Sequence, residues 1–241
     1  MIKLFDLLVE GKSKLSMKID NEYVVGEVKQ IRPQVFAAAI KDKYQRTMLF
    51  CRYVEYNKSP YNEIRNKFFT WEKFMEMYRS EFDKDLFTYP GDWEGFGVPS
   101  DSIKKAIKTF NKDSGPYDDI MNDIYSYCNK TVDNKKTEWY LIGIDDYDSK
   151  TMNHEVAHAL YSINNEYKKS CDNLISKINQ KDYQKLRKKI KDMGYVDEKE
   201  TINDEIQACM STGLTDGINT KEFQKYRKEF IENLKKFNSE K

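Results

Sequence analysis

The sequence predicts an α+β fold, with a β-rich N-terminal section followed by a mostly helical C-terminal half. Three observations predict it. Runs of β-branched and aromatic residues separated by turn residues crowd the first part of the chain, from Tyr23 to Tyr56. From Thr70 onward, apolar residues recur with the 3.6 period of a helix. A clear strand, Glu138–Ile144, then stands directly before a long helical stretch.

Taken in order, the strand candidates of the first section are Tyr23–Val28, Val35–Ile40 and Thr47–Tyr56. The alanines of the second also suit a short helix. Ser59-Pro60 closes this section. Trp71, Phe74, Met75 and Tyr78 predict a helix over Thr70–Phe82. Tyr89–Ser100, punctuated by glycine and proline, reads as an aromatic loop. Its Trp93 and Phe96 either plug into the core or line a substrate wall. Ser100 or Asp101 caps a helix that runs to Phe110. The polar stretch Asn111–Pro116 marks a boundary between an N-terminal section, 1–115, and a second section, 116–241. A helix around Tyr117–Cys128 follows. After the strand, Asp145-Asp146-Tyr147-Asp148-Ser149 offers turn and N-cap chemistry for a helix over about Lys150–Tyr167. Cys171–Met193 gives one or two lysine-rich helices and Gly194 punctuates. Thr201 opens a helix that Gly213 ends, and Phe223–Phe237 forms an amphipathic terminal helix.

Composition narrows the function classes. The 241 residues include 17 Tyr, 13 Phe and 3 Trp, enough bulky material for a real core. Lys+Arg 41 against Asp+Glu 40 leaves a net charge of +1, so nothing demands a nucleic acid or an anionic membrane as partner. No segment approaches the ~20 apolar residues that cross a bilayer. Met1–Glu10 is too short and too acidic for a secretory signal. Cys51, Cys128, Cys171 and Cys209 lie far apart without a C-x-x-C, which reads as reduced thiols and a cytoplasmic protein.

The chain has only two histidines, and they flank a glutamate: His154-Glu155-Val156-Ala157-His158. On a helix, residues i and i+4 share a face, so both imidazoles can hold one Zn²⁺ while Glu155 serves as base. Chance produces this spacing with the glutamate on the order of once in a thousand placements. Met152, Val156, Ala159, Leu160 and Ile163 form a packing stripe; His154, His158 and Tyr161 form another that can face a cleft. Catalytic zinc takes three protein ligands and keeps a fourth position open. With no third histidine, the third ligand must be a carboxylate or a thiolate.

The H-E-x-x-H motif with the following Ala159-Leu160 resembles that of the zincin metallopeptidases, over about a third of the chain from 139–144 to the helix after Thr201. The resemblance implies a small twisted sheet packed on the active-site helix. It also implies an edge strand before that helix that pairs with an extended substrate, a zinc cofactor, and a peptide or protein substrate. Metzincins take a further histidine six residues on, where this chain has Asn164, so that branch is excluded. Thr201-Ile202-Asn203-Asp204-Glu205-Ile206-Gln207-Ala208-Cys209 resembles the second helix of gluzincins, which makes Glu205 the third ligand with small Ala208 three positions on. Asp204, Cys209, Cys171 and Glu166 remain alternatives. Asp204 also reads as a capping-box partner of Thr201, and Glu205 as a first-turn carboxylate. Thermolysin-like enzymes place an aspartate four residues after the ligand glutamate to orient a histidine; here that position is Cys209. Another carboxylate must then do that work, with Asp204 and Asp172 as candidates.

The implied function is a zinc-dependent metallopeptidase with Glu155 as general base and a tyrosine as oxyanion donor. Tyr161, on the histidine stripe, is the candidate, with Tyr195 beside Gly194 as another. Two alternatives stand beside it. One is a non-catalytic, metal-stabilised interaction protein on the same scaffold; the other is a zinc hydrolase of a non-peptide bond. Glu155 argues against the first, because a purely structural site needs no base. Residues 1–115 resemble no enzyme module.

Overall fold

The structure, a computed structural model, describes residues 16–81, 85–132, 137–147, 150–213, 218 and 221–239. Met1–Glu10, Phe82 and the cap candidates Asp148 and Ser149 lie outside the described residues. The chain forms two compact units, residues 1–149 and 150–241, so the division falls just before the H-E-x-x-H helix rather than at Asn111–Pro116.

The first unit is built on a mixed five-stranded sheet of order β1-β2-β3-β5-β4. Its strands are β1 (Ser16–Asp20), β2 (Val25–Arg32), β3 (Val35–Ala39), β4 (Phe96–Pro99) and β5 (Tyr140–Ile144). β1, β2 and β3 form an antiparallel meander, β3 runs parallel to β5, and β4 pairs antiparallel with β5. Of the two options for Val35–Ile40, the strand wins. Val35 pairs with Tyr140 and Ala39 with Ile144, and the small Ala37 and Ala38 are fully buried in the sheet. β5 is buried along its whole length between two neighbours. The expectation that 139–144 is an edge strand open to an extended substrate is therefore corrected. Both of its backbone edges are taken, and the terminal strand on that side is β4, inside the stretch read from sequence as a loop.

Helices α1 (Lys43–Lys58), α2 (Trp71–Glu81), α3 (Tyr89–Asp92), α4 (Ser100–Phe110) and α5 (Pro116–Thr131) complete the unit, with a 3₁₀ turn at Asn111–Asp113. α1 is a second correction, since Thr47–Tyr56 is helix interior and not strand. Asp42 caps it by accepting from Gln45 N, a D-x-x-Q start that outweighs the β-favouring Thr, Val and Tyr residues further on. Burial on nearly every side, from Arg46 to Tyr56, leaves no polar face and hence no helical period to read. Phe96 does plug into the core, stacked on Phe50. Gly143 allows this arrangement, because a Cβ there would stand 2.6 Å from the Phe50 ring.

Arg52 explains why Asn111–Pro116 joins rather than divides. Its guanidinium, 1% exposed, donates to Asp118 Oδ2 at 2.7 Å, Asp113 Oδ2 at 3.0 Å, the Asp113 carbonyl at 3.1 Å and the Phe69 carbonyl at 2.9 Å. It also lies 4.0 Å from the Phe110 ring centre. Asp118 accepts further from Tyr53 Oη at 3.0 Å and from Gly115 N at 3.1 Å. One buried cation thus ties α1 to the start of α5 and to the turn before it.

The second unit is helical: α6 (Lys150–Ile163), α7 (Asn165–Ser176), α8 (Gln180–Asp192), α9 (Lys199–Thr212) and α10 (Gln224–Ser239). The helix expected to reach Tyr167 breaks at Asn164, whose side chain accepts from Glu166 N and Tyr167 N and so starts α7. α9 packs against α6, α7, α8 and α10 and ends on Gly213 in the left-handed region, φ 70°. Among the described residues, no helix is long and apolar enough to cross a membrane. All four cysteines are buried and none is in a disulfide.

Replacing Arg52 with methionine removes the cation and leaves the buried Asp118 carboxylate uncompensated. The expected loss is about 3–5 kcal/mol of unfolding free energy, measured by chemical denaturation. A loss below about 1 kcal/mol would show that the network does not hold the first unit together.

Candidate metal centre

Both histidines and Glu155 lie on α6, and the facing polar groups come from α9. His154, Glu155, His158, Asp204 and Glu205 are each between 5% and 7% exposed. Buried polar groups at this density require partners, and the side chains supply them to one another.

The imidazoles stand edge to face, and His154 Nε2 lies 3.1 Å from His158 Nε2. Glu205 Oε2 lies 3.6 Å from His158 Nε2. Each of His154, His158 and Glu205 offers a donor atom within 4.8 Å of the others. Among the described residues they are the only such group of histidine, cysteine or carboxylate side chains. These separations fit an ion. Ligands of a tetrahedral Zn²⁺ at about 2.0–2.1 Å stand about 3.3 Å apart, and a His₂Glu donor set suits zinc.

The outer nitrogens explain why both Nε2 atoms turn inward. His158 Nδ1 is 2.8 Å from Asp204 Oδ1. His154 Nδ1 is 3.2 Å from Thr212 Oγ1, which itself donates to the Ala208 carbonyl at 2.7 Å. With its proton used there, Thr212 accepts from His154, so the His154 hydrogen sits on Nδ1 and the Nε2 lone pair faces the cluster. Asp204 imposes the same arrangement on His158. Burial, followed by the neighbouring His158, depresses the His154 pKa to about 3. Burial alone would also depress His158, but Asp204, Glu205 and Glu155 outweigh it and raise its pKa to about 9. One ring is therefore neutral and the other readily protonated, and the two Nε2 atoms can share a proton where a cation would otherwise sit.

Of the third-ligand candidates, the structure brings Glu205 to the histidines; Asp204, Cys209, Cys171 and Glu166 are outside the donor set. Asp204 is no capping partner of Thr201. α9 starts earlier, at Lys199 with Glu198 as N-cap, which puts Thr201 and Asp204 inside the helix. Asp204 instead orients His158, the work expected of Asp204 or Asp172. Glu155 is buried, near enough to raise the His158 pKa, and outside the donor set.

Tyr161 is not brought to this cluster, because its hydroxyl donates to Asp172 Oδ1 at 2.8 Å. Tyr195 is brought to it. Its phenol hydrogen-bonds Glu205, and burial together with Glu205, Cys209 and Glu155 holds its pKa well above the usual tyrosine value, so it stays a proton donor. Sequence reasoning missed Thr212 and Gln207. Their spacing was the available signal, since Gln207 is three residues from Asp204 and Thr212 seven from Glu205, one helical face in each case.

No protein-family model, curated protein or solved structure matches the chain. The site stands on its own geometry.

Wild-type protein and Cys209→Ala are expected to bind about one equivalent of Zn²⁺, and Glu205→Ala and His158→Ala to lose it in a metal-titration assay. Asp204→Asn should weaken zinc binding by roughly 10- to 100-fold, the usual cost of losing a histidine's outer hydrogen-bond partner. Unchanged affinity in Glu205→Ala would reassign the third ligand.

Proposed function

We propose that this chain is a zinc-dependent metallopeptidase of zincin type, in which His154, His158 and Glu205 hold the ion and Glu155 is the general base. The observation that carries the reading is the separation of roles on two helices. Three donors converge, two of them with the inward nitrogen left bare by Asp204 and Thr212. A second buried glutamate, Glu155, stands near them without joining the set. A site that only stabilises structure has no need of a general base beside its ligands.

When bound, Zn²⁺ supplies a Lewis acid that acidifies water and polarises a carbonyl. Glu155 removes a proton from the attacking water and delivers it to the leaving amine. His158 is held by Asp204 in the tautomer that keeps Nε2 bare. The oxyanion role expected of Tyr161 passes to Tyr195. Its hydroxyl, held protonated beside Glu205, can donate to the substrate oxygen on which negative charge develops.

Glu155→Gln is expected to keep one equivalent of zinc and lose cleavage of a denatured-protein or peptide-library substrate. Tyr195→Phe should lower kcat about 100- to 1,000-fold, the usual effect of deleting an oxyanion donor, with little change in KM. Cleavage by Glu155→Gln at the wild-type rate would remove this carboxylate from the mechanism and the peptidase reading with it.

A further inference from the structure

We infer that Gln207 is a positioning residue, which through Asp204 fixes the tautomer and orientation of the His158 ring; this rests on the reading of His158 as a metal ligand. Gln207 is fully buried in α9 at 0% exposure, and its whole amide is engaged. Nε2 donates to Asp204 Oδ1 at 3.1 Å and to the Ala157 carbonyl at 3.2 Å. Oε1 accepts from Tyr167 Oη at 2.8 Å and faces the Cys171 thiol at 3.9 Å.

These neighbours leave the amide one orientation. A flip would set Oε1 against a carbonyl and a carboxylate, both acceptors, and turn the NH₂ group toward the hydroxyl that now donates. The direction of every hydrogen bond in the chain then follows. Tyr167 donates to Gln207, Gln207 donates to Asp204, and Asp204 Oδ1 receives a second N–H from His158 Nδ1 at 2.8 Å. An oxygen that accepts two N–H groups carries no hydrogen of its own. His158 thus keeps its hydrogen on Nδ1, and Nε2, facing His154 and Glu205, is the nitrogen that gives up its proton to a cation.

The second donor of Gln207 adds a mechanical constraint. Ala157 directly precedes His158, so one amide grips both the backbone that carries the ring and the carboxylate that orients it. Leucine or methionine would fill similar volume, but Asp204 would lose one of its donors and one buried carbonyl contact would be lost. Glutamate would set a carboxylate oxygen against two acceptors. Neither could reproduce the pattern.

The test uses full-length protein, Zn²⁺ and Co²⁺ as probes, and ¹⁵N-histidine labelling, which gives two rings to assign because the chain has His 2. Gln207→Met is expected to weaken Zn²⁺ binding about 10-fold and to change the d–d bands of the Co²⁺ form. In the Asp204→Asn background it should add nothing, since both act through the same bond. Wild-type affinity and an unchanged Co²⁺ spectrum in Gln207→Met would overturn the inference, as would losses that add fully in the double variant. If Gln207→Met fails to fold, wild-type protein decides. Ring resonances of the zinc form must show His158 with hydrogen on Nδ1 and metal on Nε2, and the reverse pattern sinks the proposal. If wild-type protein takes up no Zn²⁺, the metal reading fails alone. His158 resonances of the metal-free protein then decide the role of Gln207, shifting on Gln207→Met if the inference holds and standing still if it does not.

Discussion

The second unit depends on how α9 buries charge. Ten consecutive residues, Ile202–Ser211, are buried, and among them Asn203, Asp204, Glu205, Gln207 and Ser211 are polar. A helix buried on all sides normally carries apolar residues throughout, because an unmatched polar group costs a few kcal/mol. α9 meets the constraint by dividing its circumference. Ile202, Ile206 and Met210 enter an apolar cluster with Leu186 and Ile190 of α8, while Asp204, Glu205 and Gln207 face α6 and α7. Small Ala208, fully buried, spares room for that face to approach its neighbours. Most of the polar groups are satisfied by hydrogen bonds within the protein. The cluster of two imidazoles and Glu205 is different, because two lone pairs and a carboxylate point at one place and a cation is what would satisfy them together.

The same logic separates ligands from supports. Thr212 and Asp204 touch the outer nitrogens of the rings and Gln207 touches Asp204, so none of them competes for the central position. Each is a short hydrogen bond from a regular helix, and helices hold such groups more accurately than loops do. Tyr161 belongs to a separate network. Asp172 accepts from Tyr161 and from Asn203, whose own oxygen accepts from Tyr183, which stitches α6, α7, α8 and α9 together. A phenol committed to that network serves packing, whereas the partly buried Tyr195 hydrogen-bonds Glu205.

How much of this could be read from the sequence follows from the range of each signal. The H-E-x-x-H spacing is local and helical, so it placed His154, Glu155 and His158 on one helix directly. Glu205 lies far along the chain, and only the resemblance of its own helix selected it over Asp204 and Cys209. The orienting carboxylate was legible as a requirement but not as a position. An aspartate one residue before the proposed ligand Glu205 orients His158, where the resemblance implied one four residues after it, and only the packing of α6 on α9 reveals that. In the first unit, Thr47–Tyr56 misled because tertiary burial overrode β propensity in a helix without a polar face. β4 stayed hidden because its alternation, with Phe96 and Val98 buried, spans only four residues and includes a glycine and a proline.

The unequal legibility of the two units has a physical cause. In the second, chemistry limits the residue types, since few side chains can hold a cation or orient an imidazole, and a short list of residues therefore carries most of the information. In the first, Arg52 could be replaced by other buried arrangements that close α1 against α5, so its identity predicts little about function. That asymmetry directs where a role for the first unit should be sought. The large apolar side chains that the packing of this unit leaves exposed include Tyr44, 53% exposed, and Leu86, 74% exposed.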